Sequence, residues 1–149
     1  MSSAKKRVIV SACLLGELCR YDGKTKQINA VIKAFEGWEI IPFCPEAPLF
    51  GTPRERISVV RISGENRIIK DESREDVTAL LELEIEQFCA QYPEIDAIVL
   101  KSKSPSCGFN TTPILGSDGK VLDMGNGIAA ELFLEKYRGV LIESEHSFL

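Results

Sequence analysis

Short, continuous runs of apolar residues alternate along this chain with segments of helical spacing. Three of these runs have the length and composition of strands buried on both faces, namely Arg7–Ala12, Trp38–Phe43 and Ala97–Leu100. A fourth short run, Val140–Ile142, lies near the end of the chain. Strands that alternate with helices are typical of a parallel sheet, so the pattern predicts about four parallel strands.

Three segments between these strands predict helices. The clearest one carries Val77, Leu81, Ile85 and Phe88 at helical spacing. Glycines that suit helix ends, Gly37 and Gly139, follow the other two segments. The predicted helices are Asn29–Phe35, Glu75–Tyr92 and Asn126–Tyr137.

The remaining segments contain turn signals. Residues 45–55 carry three prolines and predict irregular structure, and residues 109–124 are rich in turns, with Ser117-Asp118-Gly119 as the tip of a hairpin. Ile57–Ile62 and Arg67–Lys70 alternate around Gly64-Glu65-Asn66, which predicts a small hairpin beside the main sheet. The expected fold is therefore α/β: a three-layer, Rossmann-like sandwich with a mainly parallel sheet plus a small β-hairpin, forming one domain over residues 1–149.

Composition narrows the class of protein further. The 149 residues are 44% hydrophobic and 27% charged, which is ordinary for a globular domain, and no run reaches the ~20 apolar residues of a membrane span. The net charge of −4 argues against a large phosphate-binding face. Lys5-Lys6-Arg7 resembles the start of a signal peptide, but the apolar stretch before Cys13 is too short for one. We expect a cytoplasmic protein that binds no membrane.

The glycines do not indicate a dinucleotide site. Gly16 stands alone after the first strand, where a dinucleotide fold has G-x-G-x-x-G. Gly125-Asn126-Gly127 precedes a predicted helix, where it either cradles an anion or simply makes a turn.

Three of the five cysteines follow predicted strands: Cys13, Cys44 and Cys107. The carboxyl ends of parallel strands meet at one edge of a sheet, so these thiols are expected to converge on one site. Cys89 lies beside the apolar stripe of the long helix and is expected to pack in the core. Cys19, six residues after Cys13, is equally compatible with a fourth ligand, a redox partner or a structural role.

The spacing of these cysteines favours a cluster over a single ion. Thiolates select zinc, Cu(I) or iron–sulfur clusters, and structural zinc sites usually present paired C-x2–4-C motifs, which this chain lacks. Single cysteines on three loops suit a cuboidal iron–sulfur cluster. Three ligands on a four-iron cluster would leave one iron open to act as a Lewis acid.

Other polar residues lie close to these cysteines in sequence. Glu46, two residues after Cys44, can reach a molecule bound at the cluster and act as a general base, although an exposed surface glutamate is the alternative. Arg54 can bind an anionic or carbonyl group or be solvated. Tyr21 and Asp22 either line the pocket of the predicted site or form an ordinary turn.

Five ordered motifs in this chain resemble those of a known family. They are Ser11-Ala-Cys-Leu-Leu-Gly16, Cys19-Arg-Tyr-Asp-Gly23, Cys44-Pro-Glu46, Gly51-Thr-Pro-Arg54 and Lys101-Ser-Lys-Ser-Pro-Ser-Cys-Gly108. Together they resemble a family long classed as a domain of unknown function, which includes the iron–sulfur-dependent thiouracil desulfidases. The resemblance runs from about Val8 to Arg138.

The resemblance implies particular roles for individual residues. It places the three ligands of a [4Fe-4S] cluster at Cys13, Cys44 and Cys107, the catalytic acid/base at Glu46 and a supporting serine at Ser104. Cys19 belongs to a family motif without being a ligand, and Asn126 stands where the family usually has an acidic residue. From the residues alone, Ser102, Ser104 and Ser106 cannot be told apart.

The resemblance implies removal of sulfur from a thiolated pyrimidine such as 2-thiouracil, giving the oxo base and sulfide. Two other functions remain open. One is desulfuration of 2-thiouridine within transfer RNA, which the acidic composition disfavours. The other is a non-catalytic zinc-binding or redox-sensing domain, which would hold metal without turnover. The expected partner is a small thiolated nucleobase, and the pattern does not indicate an oligomeric state.

Overall fold

The structure is a computed structural model that describes residues 5–16, 27–51 and 53–148. The order of elements is β1 (Arg7–Ser11), a 3₁₀ turn (Ala12–Leu15), α1 (Asn29–Ala34), β2 (Glu39–Phe43), α2 (Glu46–Phe50), β3 (Ile57–Ile62), β4 (Glu65–Lys70), α3 (Thr78–Gln91), β5 (Ala97–Leu100), β6 (Thr112–Leu115), β7 (Val121–Gly125), α4 (Ile128–Lys136), β8 (Leu141–Ser144) and a second 3₁₀ turn (Glu145–Phe148). Among these residues, no helix is long and apolar enough to cross a membrane.

The main sheet has four parallel strands in the order β2-β1-β5-β8, which confirms the predicted sheet. Its central strands are apolar on both faces because each face is covered. Ile9 and Ile98 point into a core shared with α3 and α4, whereas Val8 and Val99 pack with Val31 of α1. Side chains alternate between the faces of a strand, so these continuous apolar runs fill two cores, and the sheet is the middle of three layers.

A second four-stranded sheet, in the order β4-β3-β6-β7, replaces the predicted lone hairpin. The β3–β4 hairpin is present as predicted, but its turn is Ser63-Gly64, where both residues have positive φ. Strand β6 pairs parallel with β3 and antiparallel with β7. The β6–β7 hairpin turns at the predicted tip, Ser117-Asp118-Gly119, which confirms that prediction. The sequence does not indicate the bounds of the two strands, because β6 is four residues long and contains Pro113, and because β7 is mostly exposed.

The predicted irregular segment 45–55 contains a short helix, α2, so the expectation of purely irregular structure was wrong there. Pro45 lies immediately before this helix and Pro48 lies within its first turn. Proline is tolerated in a first turn because the amides there have no partner within the helix. Helix α2 therefore begins at Glu46, directly after the loop that carries Cys44.

Candidate active site

A cavity of about 540 Å³ lies where the strands of the main sheet end. Its wall includes residues that follow the carboxyl ends of all four parallel strands, together with Arg54, Arg56 and Ile57. These strand-end residues are Ser11, Cys13, Phe43, Cys44, Glu46, the segment 101–107, Glu145 and His146. The volume is within the range of small-molecule sites, which matches the expectation for the edge of an open α/β sheet.

The structure brings Cys13, Cys44 and Cys107 to this one cavity. Cys13 lies in the 3₁₀ turn after β1, Cys44 lies between β2 and α2, and Cys107 lies in the loop after β5. Cys89 lies instead on α3, where its side chain packs in the core, as predicted. The prediction that three strand-end thiols converge while the helical one does not is therefore confirmed.

Cys107 is buried in the cavity wall, and this burial determines the protonation of its thiol. Burial, with the negative charges of Cys44 and Glu46 adding to it, raises the pKa of the Cys107 thiol to about 12, while hydrogen bonds with Ser11 and Ser106 act in the opposite direction. A thiol in such surroundings stays protonated unless a positive group binds it.

Among the described residues, no group of three Cys, His, Asp or Glu side chains is close enough to hold one metal ion. A single zinc ion needs all its sulfur ligands about 2.3 Å from one centre. A cluster instead bonds each cysteine to a different iron, so its ligands stand further apart. The cavity also exceeds the ~30 Å³ of a single water many times over, so it has room for a group of several atoms.

Ser104 shapes the loop that presents Cys107. Its hydroxyl oxygen accepts hydrogen bonds from the amides of Cys107 (3.0 Å) and Ser106 (3.3 Å), and its carbonyl accepts one from the amide of Gly108 (2.8 Å). Its hydroxyl also lies 3.1 Å from that of Ser106. Ser104 thus closes a tight turn and lines the cavity at the same time.

The amides at the start of helix α4 also hold the loop of Cys107. The amides of Gly127, Ile128 and Ala129 donate to the carbonyls of Gly108, Pro105 and Ser106 at 2.7, 3.2 and 2.7 Å. Because these first amides are taken by the cysteine loop, they are not available to an anion. The anion cradle considered for Gly125-Asn126-Gly127 was therefore wrong, and the segment serves to pack the loop.

Glu46 is a buried carboxylate of the cavity wall, not an exposed glutamate. The hydroxyl of Ser106 donates to its Oε2 at 2.5 Å, and Arg54 Nε lies 3.4 Å from its Oε1. The Arg54 side chain is also buried and donates to the carbonyl of Gly51 at 2.9 Å. Of the three serines that the sequence leaves open, Ser106 is the one bonded to Glu46.

A second polar network in the cavity wall escaped the sequence analysis. Glu145 is buried after β8, and its Oε1 accepts the amide of Ser102 (2.7 Å) while its Oε2 accepts the Ser102 hydroxyl (2.8 Å). Lys101 Nζ lies 3.2 Å from Oε2, and His146 Nε2 lies 3.2 Å from Ser102 Oγ. The strand-end rule that identified the cysteines would have found these residues had it been applied to β8.

The charge state of Glu145 follows from its partners. Burial alone would raise the pKa of this carboxyl, but the hydrogen bonds from Ser102 and the charge of Lys101 outweigh burial and lower the pKa. The network therefore contains a carboxylate at neutral pH. Cys19, Tyr21 and Asp22 lie outside the described residues.

Fold and site together define a class: an α/β domain with a cavity at the carboxyl ends of a parallel sheet, lined by three thiols and several buried polar side chains. Comparison with known proteins then gives the family. A model described as 2-thiouracil desulfurase matches residues 8–145, so the chain belongs to the 2-thiouracil desulfurase family.

Two relatives show how far the similarity extends. The chain is 32% identical over 146 residues to the uncharacterized protein YbbK of Bacillus subtilis, covering 93% of this chain and 96% of that protein. It is also similar to the solved structure of a [4Fe-4S]-dependent thiouracil desulfidase, TudS, with a TM-score of 0.69 and 32% identity. That match covers 96% of this chain and 93% of the other.

Proposed function

We propose that this chain is a [4Fe-4S]-dependent desulfidase that removes sulfur from a thiolated pyrimidine such as 2-thiouracil, and that residues 1–149 act as one domain. One observation carries the proposal: three strand-end thiols and a buried carboxylate line a single cavity in a chain of the 2-thiouracil desulfurase family. The similarity to a [4Fe-4S]-dependent thiouracil desulfidase supports the choice of cofactor.

The residues of the cavity fit the cofactor. Cys13, Cys44 and Cys107 would hold it, because soft thiolates are the ligands that iron–sulfur clusters select. The buried Cys107 needs a positive partner to lose its proton, and bound iron would provide one. When bound through three cysteines, the cluster supplies one iron with no protein ligand, a Lewis acid with affinity for the sulfur of a C=S group.

Glu46 has the position of the general base. Its carboxylate faces the cavity, and each oxygen keeps a further acceptor site beyond its contact with Ser106 or Arg54. It would take a proton from a water molecule that attacks the carbon of the C=S group. The Ser106 hydroxyl fixes Oε2, and the Ser104 hydroxyl supports this arrangement by donating to Ser106 while it accepts the amides of the Cys107 loop. Arg54 holds the second oxygen of Glu46 in place.

The reaction balances without an external oxidant or reductant. The oxygen of water forms the new C=O bond while the C–S bond breaks, and sulfur leaves as hydrosulfide. Of the two protons of the water, one accompanies the sulfur and the other reaches solvent.

The test is turnover by anaerobically reconstituted protein. We expect uracil and sulfide from 2-thiouracil, and a loss of about 10²–10⁴-fold in kcat for Glu46→Gln with the cluster retained. The exposed Glu82 on α3 provides a matched control, since Glu82→Gln should leave turnover unchanged. Equal kcat in Glu46→Gln and the native protein would contradict the assigned role.

Comparing free base, nucleoside and thiolated transfer RNA fixes the substrate class. We expect the free base to be preferred, because the net charge of −4 gives little long-range attraction for RNA phosphates. Activity on RNA alone would move the proposal to transfer-RNA 2-thiouridine. Metal content without turnover on any thiolated base would indicate a zinc-binding or redox-sensing domain instead.

A further inference from the structure

The network of Lys101, Ser102, Glu145 and His146 lies in the wall of the active-site cavity, yet the reaction above does not use it. It joins the ends of two neighbouring strands, β5 and β8. The amide of Lys101 also donates to Ser11 Oγ at 2.9 Å, which connects the network to the loop of Cys13. Burying a charged group costs free energy unless it is paired, and the buried Glu145 carboxylate is paired here with both Ser102 and Lys101.

The hydrogen bonds of Ser102 determine which atoms donate. Ionised Glu145 can only accept, so the single hydroxyl hydrogen of Ser102 points to Glu145 Oε2. Lys101 Nζ lies 3.3 Å from Ser102 Oγ and can only donate to it. The one remaining lone pair of Ser102 Oγ must therefore accept the hydrogen bond with His146, so His146 Nε2 carries a proton.

In the neutral form of the His146 ring, this constraint fixes the tautomer. A neutral imidazole carries one proton, so with Nε2 protonated the other nitrogen, Nδ1, carries a lone pair. His146 lines the cavity, where its Nε2 lies beside Ser102, and the residue is also exposed to solvent, which places the ring at the cavity mouth. Lys101, in contrast, has three partners within the network: Ser102 O (2.8 Å), Ser102 Oγ and Glu145. His146 is thus an exposed member of the network with an acceptor that none of the bonds above uses.

We propose that His146 is a substrate-binding residue whose Nδ1 accepts a hydrogen bond from a ring N–H of the pyrimidine, and that Glu145 is the positioning residue that orients it through Ser102. This inference rests on the proposed function, because it takes the cavity to bind a pyrimidine. It adds a specificity: the site selects bases that retain a particular ring N–H. Uracil and 2-thiouracil both have two such groups, and a methyl group on either nitrogen removes one.

The test measures binding of the product uracil to the reconstituted holoprotein by calorimetry, so that no turnover interferes. We expect His146→Ala to weaken uracil binding about three- to tenfold, the value of one neutral hydrogen bond. We expect His146→Gln, which keeps an amide donor and an acceptor, to recover part of this loss. Ser147→Ala, in the same exposed turn, is the matched control and should bind as the native protein does.

Methylated uracils test the proposed hydrogen bond between a ring N–H of the base and His146 Nδ1. One of 1-methyluracil and 3-methyluracil should bind the native protein more weakly, and that difference should disappear in His146→Ala. Ser102→Ala and Glu145→Gln should reduce the same difference, since a purely structural role would weaken all three ligands equally. A melting curve for each variant identifies any that fail to fold. If Ser102→Ala or Glu145→Gln fails, the result for His146→Ala decides between the outcomes, because His146 is exposed and lies outside the core.

The outcomes separate this inference from the proposed function. If the native holoprotein turns over 2-thiouracil and His146→Ala binds uracil and both methylated bases as the native protein does, the role of His146 is overturned and the desulfidase stands. If the native holoprotein neither binds uracil nor acts on a thiolated base, both proposals fall.

Discussion

Gly127 touches the cysteine loop so closely that its substitution tests how the loop is held. A Cβ atom built on Gly127 would lie 2.7 Å from the carbonyl carbon of Ser106 and 2.8 Å from both the amide nitrogen of Cys107 and the carbonyl oxygen of Pro105. All three are backbone atoms. Ordinary carbon contacts lie at about 3.5 Å or more, so Gly127→Ala must push the loop and helix α4 apart by roughly 0.8 Å.

That displacement has a calculable cost. It would lengthen the three amide–carbonyl bonds between α4 and the loop, two of which are 2.7 Å long, beyond good hydrogen-bond geometry. With about 1 kcal/mol for each of the three weakened bonds and a similar cost for overpacking, Gly127→Ala should lower the free energy of unfolding by about 4 kcal/mol. Because Cys107 moves with the loop, less iron should be retained after anaerobic reconstitution.

Urea unfolding of the apoprotein and iron content per chain measure these two effects. Gly116→Ala is the matched control, because its Cβ would meet only side-chain atoms, the nearest being Asp118 Oδ1 at 3.1 Å. The control should cost less than about 1 kcal/mol and leave iron binding intact. Native stability and native iron content in Gly127→Ala would refute the view that α4 sets the position of Cys107.

Three further predictions concern single side chains. Cys107→Ala should abolish both cluster binding and turnover. Its control, Cys89→Ala, should keep both and lose only about 1 kcal/mol of stability in urea unfolding. Loss of iron in Cys89→Ala would contradict this prediction. Ser106→Ala removes a hydrogen bond to the Glu46 carboxylate and should lower kcat about 10–100-fold with unchanged iron content, and unchanged kcat would exclude the role. Asp76 is expected to stabilise the fold above about pH 4: burial would raise its pKa, but hydrogen bonds from Arg67 and Thr78 lower it to about 2. This stability is lost as pH falls from about 4 through about 2. Asp76→Asn should therefore cost about 1 kcal/mol at pH 7, discounted for the exposed pair, and much less at pH 2, where the folded-state carboxyl is half protonated; an equal cost at both would contradict the assignment.

The main sheet and the convergence of three cysteines could be predicted because one rule covers both. Continuous apolar runs identify strands buried on two faces, and the ends of parallel strands meet at one edge. The convergence of Cys13, Cys44 and Cys107 could be predicted without knowing any contact between distant residues. Each cysteine follows a strand of the parallel sheet, and that position in the sequence is enough once the topology is given.

The surroundings of Glu46 could not be predicted in the same way. Its burial depends on Ser106, sixty residues away, and on an arginine held against the short helix α2. A sequence motif indicates that Glu46 stands near Cys44, but only packing shows that it is buried. The same holds for Ser104, whose bonds to the loop amides are set by the tight turn.

The joining of the two hairpins into a second sheet and the network at β8 were missed for different reasons. Strands β6 and β7 lack an apolar pattern, since they are stabilised by pairing with β3 and with each other. Glu145 and His146 follow a strand whose predicted end, Ile142, was two residues too early. Because the strand was predicted to end at Ile142, Glu145 and His146 were not expected at the edge of the sheet where the cysteines converge.

The most direct measurement is the conversion of 2-thiouracil by the native chain after anaerobic reconstitution, with iron, sulfide and product counted together. The proposed function predicts about four irons and four inorganic sulfides per chain, and one sulfide released for each uracil formed. A protein that carries this cluster and yet forms no oxo base from any thiolated pyrimidine would contradict it.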